Sequence, residues 1–275
     1  MQADCDFLEK LSASEIESIV DYCPLFGLED KLEYFFNFIT TIYSTDEKCI
    51  SDTVDCSLFL YGVPNTGKTT LTYNIFWKLK KELNRDFEYF RLNISQLIEA
   101  ELGKTAQNIQ IAFQELINSD TPVFLVIDEI DQLCMSRTKE NEHDAVRRAM
   151  SALMLEMDKF KLVHNRHVIV GITNIPEQID AAILRRFFIK EKIAYDMNVS
   201  VFSEAIKHFL AFYEIDLISD STISSVFAEL SSKSLAIGDI KDIIARVAVE
   251  SLFLTNEDVE CNFIRYFKQH NSFDV

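Results

Sequence analysis

The chain has 275 residues, 48% of them hydrophobic, and 44 acidic against 27 basic side chains leave a formal charge of −17. That is enough chain for one large domain and one small domain with a real core, and it is too apolar for disorder. So anionic a surface repels phosphate backbones, so nucleic acid is not expected as the main partner, a local basic patch apart.

The opening MQADCDFLEK carries early acids and no apolar stretch of the kind a secretory signal needs. No apolar run nears the roughly 20 residues that span a bilayer, so no transmembrane segment is expected. Residues 3–20 predict a short amphipathic helix, with Phe7, Leu8, Leu11, Ile16, Ile19 and Val20 at helical spacing and Ser12 with Glu15 as a capping box. Cys23-Pro24 breaks that pattern, and a second helix is predicted over 28–43.

From residue 57 short apolar runs alternate with longer amphipathic ones. The runs are SLFLY (57–61), FEYFRLN (87–93), VFLVI (123–127) and HVIVGIT (167–173), with helical patterns over 68–83, 105–118 and 143–158. This alternation predicts an α/β domain whose parallel sheet is covered by helices on both faces. Beyond about residue 195 the strands stop, and 200–213, 221–231, 238–253 and 256–268 all read as helices. The expected organisation is an N-terminal helical extension (1–22), a large α/β domain (23–194) and a small all-helical domain (195–275). There are no repeats, and 6 Gly with 4 Pro argue against long linkers.

The six cysteines form no C-x-x-C pair and read as reduced core residues, which points to an intracellular setting, cytoplasmic rather than nuclear. His164 and His167 stand three apart, but no cysteine or carboxylate completes a metal site, and they read as ordinary structural histidines.

Gly62 to Thr69 spells G-x-x-x-x-G-K-[ST] between a strand ending at Tyr61 and a helix, which makes it a P-loop. Glycines let the backbone turn tightly, so several N–H groups of the loop can converge on phosphate, and the nucleotide-binding residues expected here are Gly62, Val63, Pro64, Asn65, Thr66 and Gly67 with the helix start Lys68, Thr69 and Thr70. The helix N-terminus adds partial positive charge. Lys68 reaches the β and γ phosphates, and the Thr69 hydroxyl joins Mg²⁺. Asn65 takes a position often held by glycine, and asparagine tolerates the left-handed conformation better than most residues. In VFLVIDEID (123–131), Asp128 is expected to end a buried strand beside the P-loop and to hold Mg²⁺ through water, with Glu129 polarising the attacking water. The cofactors expected are ATP and Mg²⁺.

On these residues the chain resembles the AAA family of P-loop ATPases over roughly residues 22 to 270, and AVRRAMSALMLEMD (145–158) resembles the helix after the family's acidic strand, especially as it appears in the katanin and spastin group. HVIVGITNIPEQIDAAILRRF (167–187) resembles the family's sensor strand, short helix and arginine fingers. The resemblance makes Asn174 the residue that orients the lytic water, and Arg185 and Arg186 the fingers donated to a neighbouring subunit's nucleotide. Such arginines contribute about 10³–10⁵ in rate. FGLEDK (26–31) resembles the segment bordering adenine, which implies backbone contacts at Phe26 and Gly27. AIGDIKDIIARV (236–247) resembles the lid helix whose start touches nucleotide, although the usual Gly-Ala-Asp reads Ile237-Gly238-Asp239, with Gly238 displaced by one. Where the family grips threaded polypeptide with a pore aromatic, this chain has Glu101, which either takes a basic tail or never meets substrate.

The resemblance implies a homo-oligomeric ring, of six subunits, that hydrolyses ATP at subunit interfaces to remodel or disassemble a protein substrate or adaptor complex. A nucleotide-switched binding protein of low turnover and a DNA-replication loader are the alternatives. The loader is at odds with the acidic surface, and a P-loop kinase leaves the 167–187 block without a role.

Overall fold

The computed structural model describes residues 7–44, 54–83, 86–99, 104–135, 140–162, 167–194, 197–215, 218–230 and 235–269. The chain divides into two compact units. The first comprises the chain up to Pro24, Asp30–Val63 and Lys68–Ile193; the second comprises Leu25–Glu29, Pro64–Gly67 and the chain from Ala194 onward.

The first unit is a six-stranded sheet. Its strands are β1 (Leu8–Leu11), β2 (Cys56–Tyr61), β3 (Glu88–Asn93), β4 (Val123–Asp128), β5 (Val168–Thr173) and β6 (Ile189–Lys192), in the spatial order β1-β3-β4-β5-β2-β6. All neighbours are parallel except β1, which runs antiparallel to β3. The continuous apolar runs of β4 and β5 are buried on both faces, as a sheet covered twice requires. Along the chain come α1 (Ala13–Tyr22), α2 (Glu29–Ser44), α3 (Lys68–Leu83), α4 (Ile94–Glu99), α5 (Thr105–Ile117), α6 (Gln132–Met135), α7 (Glu140–Lys161) and α8 (Ala181–Leu184). The core beneath α5 and α7 gathers Leu125, Ile127, Ile169, Phe113, Phe160 and Phe187, all fully buried. Phe113 and Phe160 meet edge to face at 5.8 Å. Each such ring contributes about 1.5–3 kcal/mol by leaving water.

Two expectations need correction. Residues 8–11 are not helical: LEKL pairs Leu8 with Leu92 and Leu11 with Tyr89, and the helix begins only after the Ser12 cap. The open edge of β3 supplies backbone partners that a local helix cannot use, and residues 3–6 lie outside the described residues. Second, IKEK forms a sixth strand, β6, on the far side of β2. The end of β4 does lie beside the P-loop, with β5 between β4 and the strand that feeds the loop.

The second unit carries α9 (Val199–Phe212), α10 (Asp220–Leu230), α11 (Ile237–Ser251) and α12 (Asn256–Gln269). Helix α9 buries Phe202, Ala205, Ile206, Phe209 and Leu210, α11 buries Ile240, Ile243, Ile244 and Val247, and Phe202 meets Phe267 of α12 edge to face at 5.5 Å. The apolar stripe of each helix therefore faces its neighbours.

Candidate functional site

The phosphate loop runs from the end of β2 into α3. Gly62 is dictated by close approach: a Cβ there would lie 2.4 Å from the Ile193 carbonyl oxygen, where the Ile193 N–H donates to Tyr61 O at 2.7 Å. Further on the backbone turns left-handed at Asn65 (φ 61°) and Gly67 (φ 81°). Val63, Pro64 and Asn65 are exposed, Thr66 is buried, and Thr70 is half-buried in the first turn of α3. Lys68 lies 5% exposed and donates to Gly62 O at 3.0 Å and Val63 O at 2.7 Å. Burial lowers its pKa to about 8, with the negative charge of Asp128 acting in the opposite direction.

Asp128 ends β4, and its carboxylate meets the first turn of the helix that follows the loop. Oδ2 accepts the Thr69 hydroxyl at 3.0 Å and Oδ1 accepts the Glu129 N–H at 2.9 Å. Arg91 of β3 also reaches Oδ2, at 3.4 Å. Arg91 escaped the sequence reading because FEYFRLN shows only an alternating strand; nothing local says that its polar face looks toward Asp128. Glu129 is exposed in a left-handed conformation (φ 52°), and its carboxylate accepts a hydrogen bond from the Gln132 amide. The Gln132 carbonyl in turn accepts the Ser95 hydroxyl at 2.6 Å. Thr69 and Asp128 offer hard oxygen donors of the type that Mg²⁺ prefers. Among the described residues no group of three or more His, Cys, Asp or Glu is poised for a metal.

Asn174 stands exposed just beyond β5, and so emerges between the strand of Asp128 and the strand that feeds the loop. Its support is buried: the Thr173 hydroxyl donates to Asp131 at 2.5 Å and accepts the Ile175 N–H at 3.0 Å. The two arginines after α8 part company. Arg185 is exposed, its backbone N–H closes the helix on Ala181 O at 3.1 Å, and its guanidinium makes no hydrogen bond or ion pair among the described residues. Arg186 turns into its own chain, with Nη2 at 3.0 Å from Asp158, Nε donating to Met154 O at 3.1 Å and Nη1 donating to Ala182 O at 2.7 Å.

In the second unit Phe26 is buried with its ring 5.6 Å from His208 and 5.9 Å from Phe209 of α9. Gly27 (φ 71°) donates its N–H to Glu29, and Leu28 packs against Gly67. Gly238, in the first turn of α11, donates its N–H to Asn65 O at 3.4 Å. Glu101 and its neighbours 100–103 lie outside the described residues.

Residues 58–195, half of the chain, match the model of the ATPase family associated with various cellular activities, AAA. The chain belongs to the AAA family. The mouse vacuolar protein sorting-associated protein 4B is 35% identical over 130 residues, 47% of this chain and 28% of that protein. The human pachytene checkpoint protein 2 homolog is 29% identical over 205 residues, 70% of this chain and 47% of that protein. The AAA chain thus spans between about a quarter and a half of the length of these two relatives. In fold it is similar to a chain of the E. coli MS115-1 HORMA:CdnC:Trip13 complex, with a TM-score of 0.78 at 16% identity, covering 98% of this chain and 97% of that one. The FIGL-1 AAA domain gives a TM-score of 0.63 at 17% identity, covering 94% and 80%, and a similar FIGL-1 structure is in complex with ADP. No helix among the described residues is long and apolar enough to cross a membrane.

Proposed function

We propose that this AAA chain is an ATP hydrolase that assembles into a ring and uses turnover to remodel or disassemble a protein partner. The observation that carries the reading is the convergence of Lys68, Thr69, Asp128 and Glu129 at the C-terminal ends of β2 and β4, with Asn174 leaving the strand between them. Lys68 binds the β and γ phosphates, and exchanges its two loop carbonyls for them. Mg²⁺, held through Thr69 and Asp128, neutralises charge on those phosphates when bound. Glu129 turns from Gln132 to accept the proton of water as it attacks the γ-phosphorus; the bond to the β-phosphate oxygen breaks, and ADP and phosphate leave. Arg185, exposed and with its guanidinium uncommitted among the described residues, is the one offered to the nucleotide of an adjoining copy. Lys68, Thr69, Asp128, Glu129 and Asn174 all come from one chain, so the ring, six-membered by family resemblance, is needed only to supply the arginine. The HORMA and CdnC components of the E. coli complex support a folded protein or adaptor complex as the partner acted on.

The test is Glu129→Gln. It keeps ATP binding, slows phosphate release by about 10²–10⁴-fold and accumulates as an oligomer on sizing with ATP. A strictly monomeric variant under saturating ATP would overturn the ring reading. A nucleotide switch of low turnover is the second reading, favoured by the tie between Glu129 and Gln132. Slow wild-type phosphate release that does not rise on assembly would select it.

A further inference from the structure

Two departures from the usual motif spelling lie far apart in the sequence. Asn65 stands where glycine is usual in the phosphate loop, and Gly238 is displaced by one at the start of α11. The structure brings them into contact. The Asn65 amide donates to Asp239 Oδ1 at 2.9 Å across a separation of 174 residues, and the Asn65 carbonyl accepts the Gly238 N–H at 3.4 Å. The other Asp239 oxygen, Oδ2, accepts the Ala236 N–H at 2.9 Å, which fixes the carboxylate in the first turn of the helix. A Cβ on Gly238 would fall 2.8 Å from Asn65 Cβ and 2.9 Å from Asn65 Cγ. These are the inner atoms of the asparagine, which no rotation of its amide removes. The asparagine side chain has room only because residue 238 has none.

We propose that Asn65, Gly238 and Asp239 form a clasp that braces the crest of the phosphate loop against the start of α11, and that nucleotide affinity depends on this clasp. The inference rests on the reading of the loop as an ATP site and deepens it. Asn65 is held at φ 61°, a conformation costly for a side chain unless surrounding contacts impose it. The clasp supplies those contacts, and so fixes how the loop's N–H groups point. Asn65 and Asp239 are then positioning residues: they hold the loop that meets phosphate. The same contact couples the first turn of α11 to phosphate occupancy, because a loop reshaped by nucleotide must strain or release the Asn65 amide.

The test is a double-mutant cycle read with a fluorescent ADP analogue and, separately, by thermal unfolding without nucleotide. Gly238→Ala is expected to weaken ADP binding by about tenfold or more, equivalent to about 1.4 kcal/mol, and to lower the melting temperature. Asn65→Gly removes the colliding atoms and adopts the same φ without strain. The double variant Asn65→Gly with Gly238→Ala should therefore recover affinity to within a few-fold of Asn65→Gly alone. Asp239→Ala should weaken ADP binding in the wild-type background and have a smaller effect beside Asn65→Gly. Equal losses for Gly238→Ala with and without Asn65→Gly would overturn the clasp, as would unchanged affinity in Gly238→Ala. If the wild-type chain bound no ADP, the ATP-site reading would fail and the claim about affinity with it. The melting-temperature cycle would still decide the contact: rescue supports it, and strict additivity refutes it.

Discussion

At the scale of single residues, the two consecutive arginines have different physical roles. Arg186 holds Asp158 and two main-chain carbonyls, which together join α8 to α7. Its replacement by alanine should cost about 1–2 kcal/mol of stability, because those acceptors lose their donors. Arg185→Ala removes a guanidinium with no partner among the described residues and should leave stability within about 0.5 kcal/mol, yet lower phosphate release by about 10³–10⁵-fold. Thermal unfolding and steady-state phosphate release on both variants check the assignment; a reversed pattern would exchange the roles. The sequence names both arginines by their place after a short helix. It does not say which way each points, because that depends on where Asp158 and Met154 of α7 pass. The loop residues 62–69 are legible for the opposite reason: their chemistry is local to one turn and one helix start. Arg91 is silent in sequence because its partner, Asp128, lies on the next strand.

At the scale of elements, the long buried strands declared themselves by apolar runs, and the edges did not. Phe7, Leu8 and Leu11 satisfy a helical spacing and not the alternation of a strand, since Leu8 and Leu11 take opposite faces of β1, and it is the pairing with the free side of β3 that makes a strand of Leu8–Leu11. IKEK is mostly charged and becomes β6 through its pairing with β2. In the interior, β5 meets a tight constraint at Gly171. A Cβ there would lie 2.6 Å from Phe187 Cζ, and that ring is 1% exposed and 5.3 Å from the Phe59 ring, so it has nowhere to swing. Gly171→Ala should destabilise the protein by about 1–3 kcal/mol through overpacking, seen as a lower urea midpoint. Phe187→Leu in the same chain should recover part of the loss, and purely additive losses would contradict the contact.

At the scale of the whole molecule, one buried histidine makes stability depend on pH. His167 stands just before β5, with Nδ1 accepting the Val123 N–H at 3.0 Å and its ring stacked on Phe160 at 4.5 Å. Nε2 is buried and has no hydrogen-bond partner among the described residues. Burial lowers the pKa from 6.5 to about 4. Between these values the unfolded chain holds a proton that the fold does not, so stability is full above pH 6.5 and is lost as pH falls toward 4. The loss is on the order of 3 kcal/mol at most. His167→Asn keeps an acceptor for Val123 and cannot titrate; its unfolding midpoint should change less with acid than that of the wild type over pH 6.5 to 4. Parallel acid profiles would show that other groups dominate.

The two outermost strands have a further consequence for how copies of the molecule meet. LEKL on one flank and IKEK on the other place Glu9, Lys10, Lys190 and Lys192 in solvent, with Lys10 paired to Glu88 and Glu191 paired to Lys31. Strand zippering between molecules would have to strip or crowd those charges. Contact between copies is thereby steered away from main-chain fusion and toward side-chain faces that can part again, and neither open flank of the sheet is left to seed a fibre.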